Sequence, residues 1–170
     1  EQKGWQPLSQ SDFLIETVSE SFLGSYHTRS QFTGLTPDTI QTYTPRHPVH
    51  TEMYIADTDK TVASMYDESF LAKKDQYSYF LSGVHALMKL TTKLDPQQIA
   101  QEKLLVIKDS YAHNVLPFLT NHVPEIHVID LRYYNGRIGD YLSENGIQDV
   151  LFLFNTATFV EDTALLKLNM

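Results

Sequence analysis

Leu104-Leu105-Val106-Ile107-Lys108-Asp109-Ser110-Tyr111 joins a short apolar run to a polar turn. Residues 104–107 have the length and the uninterrupted hydrophobicity of a parallel strand that is buried on both faces. Two similar runs follow at residues 126–131 and 150–154. Because stretches with helical spacing separate and follow these runs, we predict right-handed crossovers and a parallel sheet flanked by helices, which is an α/β fold.

The helices of this half are predicted from the spacing of apolar residues and from stop signals. Pro117 is expected to kink or end the first part of its helix, and Asn145-Gly146 supplies a C-terminal stop. The predicted helices cover residues 112–121, 136–145 and 160–168.

The first half of the chain has a different pattern. Pro37-Asp38-Thr39-Ile40 resembles the first turn of a short helix that Thr36 caps. We predict an irregular, antiparallel, β-rich region over residues 1–76 and an α/β core over residues 77–170, within a single domain. The strand-like segments of the first half are residues 13–18, a hairpin over 51–66 around the turn 57–60, and residues 77–81 and 87–92.

Composition excludes several classes of protein. The 170 residues include 13 Lys and Arg against 21 Asp and Glu, which gives a net charge of −8. Nucleic acids and anionic membranes both require a basic face, so neither is an expected partner. The chain has no cysteine, which excludes disulfides, thiolate nucleophiles and zinc–thiolate sites. No apolar run approaches 18 residues, so we expect no membrane contact by this segment.

Three polar clusters follow the predicted parallel strands. They are Lys108-Asp109-Ser110-Tyr111, the stretch 130–134 and the stretch 155–158. Since ligands of parallel sheets bind beyond the carboxyl ends of the strands, we expect these clusters to meet at one edge and form a site.

Each polar residue of this edge has two interpretations. Ser110 stands where a nucleophile would meet the N–H groups of the next helix, but Ser110 or Asp109 would equally serve as a helix cap. Arg132 would bind a carboxylate, phosphate or acyl oxygen, or form an ion pair with Asp109 or Asp130. Asn155 would donate to an oxyanion or simply form a turn.

The histidines do not supply an obvious base for Ser110. Those that follow it in sequence, His113, His122 and His127, are interpreted as structural or surface residues. The stretch 46–50, with two histidines three residues apart and Glu52 nearby, would be either a metal site or a solvated loop.

Several of these motifs together resemble the DHHW family, which contains bacterial proteins similar to SGNH hydrolases and related in layout to alginate O-acetyltransferase-like proteins. Phe22-Leu23-Gly24-Ser25-Tyr26, in the segment 13–45, matches more loosely. The stronger match runs from about residue 77 to residue 168, and the motifs that carry it are residues 104–113, 117–119, 125–134 and 147–155, with Thr158-Phe159 and Asp162.

The resemblance implies a flavodoxin-like α/β fold, with Ser110 as the nucleophile. Asp109, Tyr111, Arg132 and Asn155 are then expected to line the substrate site, and no metal or organic cofactor is implied. In the family the catalytic Asp and His come from an Asp-His-His-Trp segment before the serine, which this sequence lacks. We therefore expect the chain to begin just after that segment.

A second departure lies at Ser82-Gly83-Val84-His85, where the family pattern suggests Gly-Gly-Asn-His. The side chain of Val84 cannot donate to an oxyanion. Two functional hypotheses follow from the resemblance and its departures.

The first hypothesis is the C-terminal part of an extracytoplasmic esterase or O-acyltransferase. Its substrate would be an acylated surface glycan or another small ester, and any membrane anchor would lie upstream. The second hypothesis is a non-catalytic cell-surface module that binds glycan or protein. A flavin or nucleotide binder fits less well, because no glycine-rich phosphate loop follows residue 107.

Overall fold

The structure is a computed structural model that describes residues 5–24, 27, 33–47, 49–94 and 102–169. The chain divides into two compact units, one made of Glu1–Val49 with Tyr66–Gly83 and the other of His50–Met65 with Val84–Met170. The single domain expected over residues 1–170, with a β-rich region up to residue 76 and an α/β core after it, stays a prediction. The looser family motif at residues 22–26 includes Ser25 and Tyr26, which lie outside the described residues.

In the first unit, strand β1 (Phe13–Phe22) pairs antiparallel with strand β2 (Asp38–Pro45). The helix predicted to begin at residue 37 is therefore wrong. Ile40 is buried against Tyr79 and Phe80, and Thr42 Oγ1 lies 2.6 Å from the Tyr79 hydroxyl. Burial of alternate β-branched residues favours a strand here over the helical start that Pro37 suggested.

The strand predicted over residues 77–81 is also wrong. Gln76–Tyr79 forms a 3₁₀ helix, and Phe80 makes an isolated bridge with Tyr66. The rings of Tyr77, Tyr79 and Phe80 all join one aromatic cluster, whereas the side chains of a strand would alternate between two faces. Packing of these aromatic rings thus favours the 3₁₀ conformation of residues 76–79 over a strand.

The second unit contains a six-stranded mixed sheet in the order β4-β3-β5-β7-β6-β8. The α/β class is confirmed, with the parallel pairing confined to β7, β6 and β8, while β5, β3 and β4 add antiparallel pairs. The predicted hairpin at 51–66 forms β3 and β4. The strands are β3 (His50–Ile55), β4 (Lys60–Val62), β5 (Leu87–Lys93), β6 (Lys103–Lys108), β7 (Glu125–Ile129) and β8 (Asp149–Leu153).

The helices of this unit are shorter than predicted. The segment 112–121 forms a 3₁₀ turn, Ser110–Ala112, and then helix α1 (Leu116–Leu119), since Pro117 is confined to the first turn of a helix. Helix α2 (Ile138–Asn145) ends, as predicted, at Gly146, whose φ is 64°.

The last predicted helix is divided in two. Helix α3 (Thr156–Glu161) begins before the predicted segment 160–168 and overlaps only its first two residues, and Thr163–Asn169 forms a 3₁₀ helix over most of the rest. Within the described ranges, none of these helices is long and apolar enough to cross a bilayer.

The core of the second unit is built around the parallel strands. All residues of β6 and β7 except the first of each strand are buried, as expected for strands covered on both faces. This core fixes the strand ends that carry the polar clusters. One part of it is a cluster formed by Leu105, Ile107, Ile129, Leu131, Ile138 and Ile147.

Replacing Leu105 by alanine tests this core. Leu105 is fully buried, so Leu105→Ala is expected to lower the free energy of unfolding by about 2–5 kcal/mol. Urea denaturation measures the change. Leu166 is largely exposed, and Leu166→Ala is the control, with an expected change within about 0.5 kcal/mol. Equal effects of the two substitutions would contradict the assigned core.

Candidate active site

The strand register brings the three polar clusters to one edge of the sheet. Ile107 pairs with Ile129 across the β6–β7 pair, and Lys108 pairs with Leu153 across the β6–β8 pair. The chain therefore leaves all three parallel strands at the same level. Neighbouring strands are about 4.8 Å apart, so the residues that follow them are neighbours in space, as the sequence analysis expected.

Asp109 is the structural centre of the turn after β6. Its buried carboxylate accepts hydrogen bonds from the backbone N–H of Tyr111 and the backbone N–H of Asn155, both at 2.9 Å. The first bond caps the 3₁₀ turn, and the second joins the turn to the residue after β8. Between the two capping alternatives left open by the sequence, the structure selects Asp109.

Ser110 is consequently free of the capping role. The residue is half-buried, and no described residue hydrogen-bonds its hydroxyl. One expectation needs correction, because the backbone N–H groups of Tyr111 and Ala112 are not open to a ligand. They already donate to the side chain and to the carbonyl oxygen of Asp109. The turn presents the hydroxyl, and these two N–H groups are not available to stabilise an oxyanion.

A buried chain of polar side chains lies behind this turn. The Lys108 ammonium contacts Asp130 Oδ2 at 3.2 Å and His113 Nε2 at 2.8 Å, and all three residues are almost completely buried. Burial lowers the pKa of Lys108. Burial and the nearby Lys108 charge lower the pKa of His113 to about 3, so His113 is neutral and accepts a hydrogen bond from the lysine.

Asp130 connects this buried chain to Arg132. The arginine donates from Nε to Oδ1 at 2.9 Å and from Nη2 to Oδ2 at 2.6 Å, which is the bidentate geometry of a strong ion pair. Burial alone would raise the pKa of Asp130, but the arginine hydrogen bonds and the Lys108 charge outweigh it and lower the pKa. The same pairing raises the pKa of Arg132.

Arg132 therefore pairs with Asp130, as one of the two interpretations proposed. Its side chain remains 34% exposed, so a guanidinium in a fixed position belongs to a side chain that solvent still reaches. The loop that carries it is held from the other side, because Lys167 donates to the carbonyl oxygens of Leu131 and Tyr134 at 2.7 and 2.9 Å. This edge of the sheet therefore holds the Arg132 guanidinium in a rigid position.

The two remaining predicted site residues are Asn155 and Tyr111, and the structure shows the surroundings of both. The side-chain oxygen of Asn155 caps α3 by accepting from the N–H groups of Ala157 and Thr158, so only its amide group is left for a ligand. The Tyr111 side chain is about half exposed at the site edge. Contact of either residue with substrate stays a prediction.

The other histidines are placed as follows. His127 is buried in β7, with Nδ1 2.6 Å from the Tyr141 hydroxyl and Nε2 2.8 Å from Glu125, which is a structural arrangement. His50 forms a long, exposed contact with Glu52. Within the described residues, no group of three or more His, Asp or Glu side chains could hold a metal ion.

Sequence reasoning missed two features of this edge. Lys108 ends a buried strand, and that position alone indicated that its charge needed a buried partner. His85 precedes Ser110 in the sequence, whereas the histidines weighed as a base for Ser110 follow it. Since β5 begins at Leu87 and runs antiparallel to β7, the residues before it reach the same edge, and this strand direction was the available signal.

The stability of the second unit should depend on pH through Asp130. Its folded pKa lies below the ordinary value near 3.9, so its contribution is complete above that pH and is lost as the pH falls through the folded pKa. Asp130→Asn should lower the free energy of unfolding at pH 7 by about 3–5 kcal/mol, because it leaves Lys108 without a carboxylate. It should also flatten the loss of stability in acid.

Urea denaturation between pH 2 and pH 7 measures both effects. The control is Asp140→Asn, since Asp140 forms only an exposed, 3.7 Å ion pair with Arg137, and its stability curve should follow that of the wild type. Identical curves for the Asp130→Asn protein and the wild type would show that Asp130 is not the compensating charge.

Comparison with known proteins agrees with the observed architecture. The sequence profile described as DHHW protein matches residues 2–129, which includes Ser110 but stops before Asp130, Arg132 and Asn155. No curated protein matches the chain. A crystal structure of a DHHW family protein from Eubacterium siraeum is 26% identical, with a TM-score of 0.78 over 95% of this chain and 54% of that protein.

Two structures of Bacillus cereus PatB1 share the fold at lower identity. The structure with a sulfonyl adduct is 16% identical with a TM-score of 0.71, and covers 92% of this chain and 51% of PatB1. The second is 17% identical with a TM-score of 0.69, and covers 91% of this chain and 52% of PatB1. The chain thus spans about half the length of these solved relatives. Since the family profile matches well over half of the chain, the chain belongs to the DHHW family.

Proposed function

We propose that this chain is the C-terminal part of an SGNH-like serine esterase or O-acyltransferase on a flavodoxin-like fold. The observation that carries the proposal is the division of roles in the turn after β6. Asp109 takes the capping bonds, so the neighbouring Ser110 hydroxyl is half-buried at the ligand edge with no described hydrogen-bond partner. A hydroxyl that is held in place but has no structural role fits a nucleophile.

The proposed reaction begins when Ser110 Oγ attacks the acyl carbonyl carbon of an ester. The serine proton passes to a base, and the carbonyl oxygen becomes an oxyanion. When this intermediate collapses, the alcohol leaves with a proton and an acyl-Ser110 ester is formed. Water then releases the acid in an esterase, or the hydroxyl of an acceptor takes the acyl group in a transferase, and Ser110 regains its proton.

Arg132 is the group best placed to stabilise negative charge in this reaction. The N–H groups of Tyr111 and Ala112 are occupied by Asp109, whereas the guanidinium is fixed by Asp130 on a partly exposed side chain. A positive charge that is already in position needs little reorganisation as an oxyanion develops. We assign Arg132 to the substrate acyl oxygen or to the oxyanion.

The base is assigned to an Asp–His pair from an Asp-His-His-Trp segment, as the family resemblance implies. We further propose an acylated surface glycan or a related ester as substrate, and an extracytoplasmic location. The PatB1 structure with a sulfonyl adduct suggests a suitable reagent, because sulfonyl fluorides react with activated nucleophiles.

The alternative is a non-catalytic module that binds glycan or protein on the same fold. Two observations favour it. Val84 is exposed but has no side-chain donor, and the backbone N–H groups of Tyr111 and Ala112 are already used. In this interpretation Arg132 would bind an anionic or polar group without chemistry.

Covalent labelling separates the two functions. Treated with methanesulfonyl fluoride, a longer protein that joins this chain to the Asp-His-His-Trp segment should gain one sulfonyl group that peptide mass spectrometry places on Ser110. Ser110→Ala should remove the label, and Arg132→Ala should slow labelling by about 10²-fold if the guanidinium stabilises developing charge. Ser143→Ala is the matched control, since Ser143 is bonded within α2 to the Gly139 carbonyl, and it should label like the wild type.

A parallel assay uses an activated acetyl ester, with which this chain should turn over slowly because the proposed base is absent from its sequence. Rapid turnover that survives Ser110→Ala would reject Ser110 as the nucleophile. A folded longer protein that carries the Asp-His-His-Trp segment but gains no label at Ser110 would favour the binding module.

A further inference from the structure

A second group of polar side chains reaches the edge of the sheet that carries Asp130. Strand β5 is antiparallel to β7, with Leu87 opposite Ile129, and the N–H of Asp130 donates to the carbonyl oxygen of Ala86 at 3.1 Å. The chain just before β5, with His85, therefore lies beside the chain just after β7.

Asp57 holds His85 in one orientation. One carboxylate oxygen lies 3.1 Å from His85 Nδ1 and also accepts the N–H of Ala86 at 3.1 Å. A carboxylate only accepts hydrogen bonds, so Nδ1 of the imidazole carries the proton. In the neutral ring, Nε2 is then an acceptor.

This acceptor is buried. The His85 side chain is 13% exposed, its Nε2 atom is out of contact with solvent, and no residue in the described part of the chain hydrogen-bonds it. A buried polar atom without a partner costs about 1–3 kcal/mol, so the position of Nε2 calls for a donor.

His113 has the complementary arrangement. Its Nε2 faces the Lys108 ammonium at 2.8 Å, and lysine only donates hydrogen bonds. The proton of the neutral His113 ring is therefore on Nδ1, which is also a buried atom. Both imidazoles approach Asp130, since His113 contacts Lys108, which pairs with Asp130, and His85 precedes Ala86, which accepts the Asp130 N–H.

We propose that Asp57 and His85 extend the Lys108–Asp130–Arg132 chain into one buried hydrogen-bonded relay that is joined at His113. His113 Nδ1–H donates towards His85 Nε2 through one buried water molecule. The relay begins at the Asp57 carboxylate and ends at the Arg132 guanidinium. Asp57 and His85 are thus positioning residues that fix the His113 ring and, through Lys108 and Asp130, the orientation of Arg132.

The functional importance of this relay rests on the proposed role of Arg132 beside Ser110. The relay itself does not require Ser110, because none of its hydrogen bonds involves that residue. The two proposals can therefore fail separately. The relay is tested by NMR spectroscopy of the histidine and arginine nitrogens, which requires no reaction at Ser110.

Long-range ¹H–¹⁵N spectra of the labelled chain test the relay. At neutral pH both His85 and His113 should show the pattern of the Nδ1–H tautomer. Asp57→Asn removes the anchoring charge, and it should shift the ring nitrogen signals of His113 and the Nε–H signal of Arg132. His85→Gln should shift the same signals. Ser110→Ala should leave the tautomers unchanged.

The matched control is Glu125→Gln, which alters a carboxylate–imidazole pair of the same kind at His127 in the same sheet. This substitution should shift the His127 signals and leave those of His113 and Arg132 in place. An Nε2–H tautomer for His113 would overturn the relay. So would unshifted His113 and Arg132 signals in a folded Asp57→Asn protein, and this result would stand whether or not methanesulfonyl fluoride labels Ser110.

Discussion

The buried carboxylate of Asp130 is the interaction on which the candidate site depends. It compensates the Lys108 ammonium at the end of one strand and holds the Arg132 guanidinium with two hydrogen bonds just beyond the next. Burying charges is costly unless they are paired and hydrogen-bonded. Asp130 meets that condition for Lys108, and it also leaves a partly exposed arginine in a defined place.

The turn after β6 separates structural from chemical roles among adjacent residues. Asp109 is buried and uses its carboxylate to hold the turn and the end of β8. Ser110, the next residue, is left with a hydroxyl that no described residue engages. Glu125 and His127 show the opposite case, since both imidazole nitrogens have partners within the structure. These polar groups within the sheet are thus already paired, whereas a hydroxyl at its edge remains available to a ligand.

The sequence predicted the parts of the fold that follow from strong local patterns. The apolar run at 104–107 and its two counterparts became the parallel strands, and their register brought Asp109, Asp130 and Asn155 together. It failed where tertiary packing overrode local preference: Ile40 entered a strand to reach an aromatic cluster, and residues 76–79 formed a 3₁₀ helix for the same reason. The contact of His85 with Asp57 depends on long-range pairing, which local patterns do not contain.

A double-mutant cycle between Lys108 and Asp130 tests most directly whether the carboxylate compensates the buried ammonium. The free energy of unfolding is measured by urea denaturation for the wild type, Lys108→Met, Asp130→Asn and the double variant. The account predicts that the double variant loses less stability than the sum of the single losses, by about 1–3 kcal/mol, because neither buried charge is then left without its partner. Additive losses would contradict it, since the two charges would then be independent and Asp130 would not be the centre of the site.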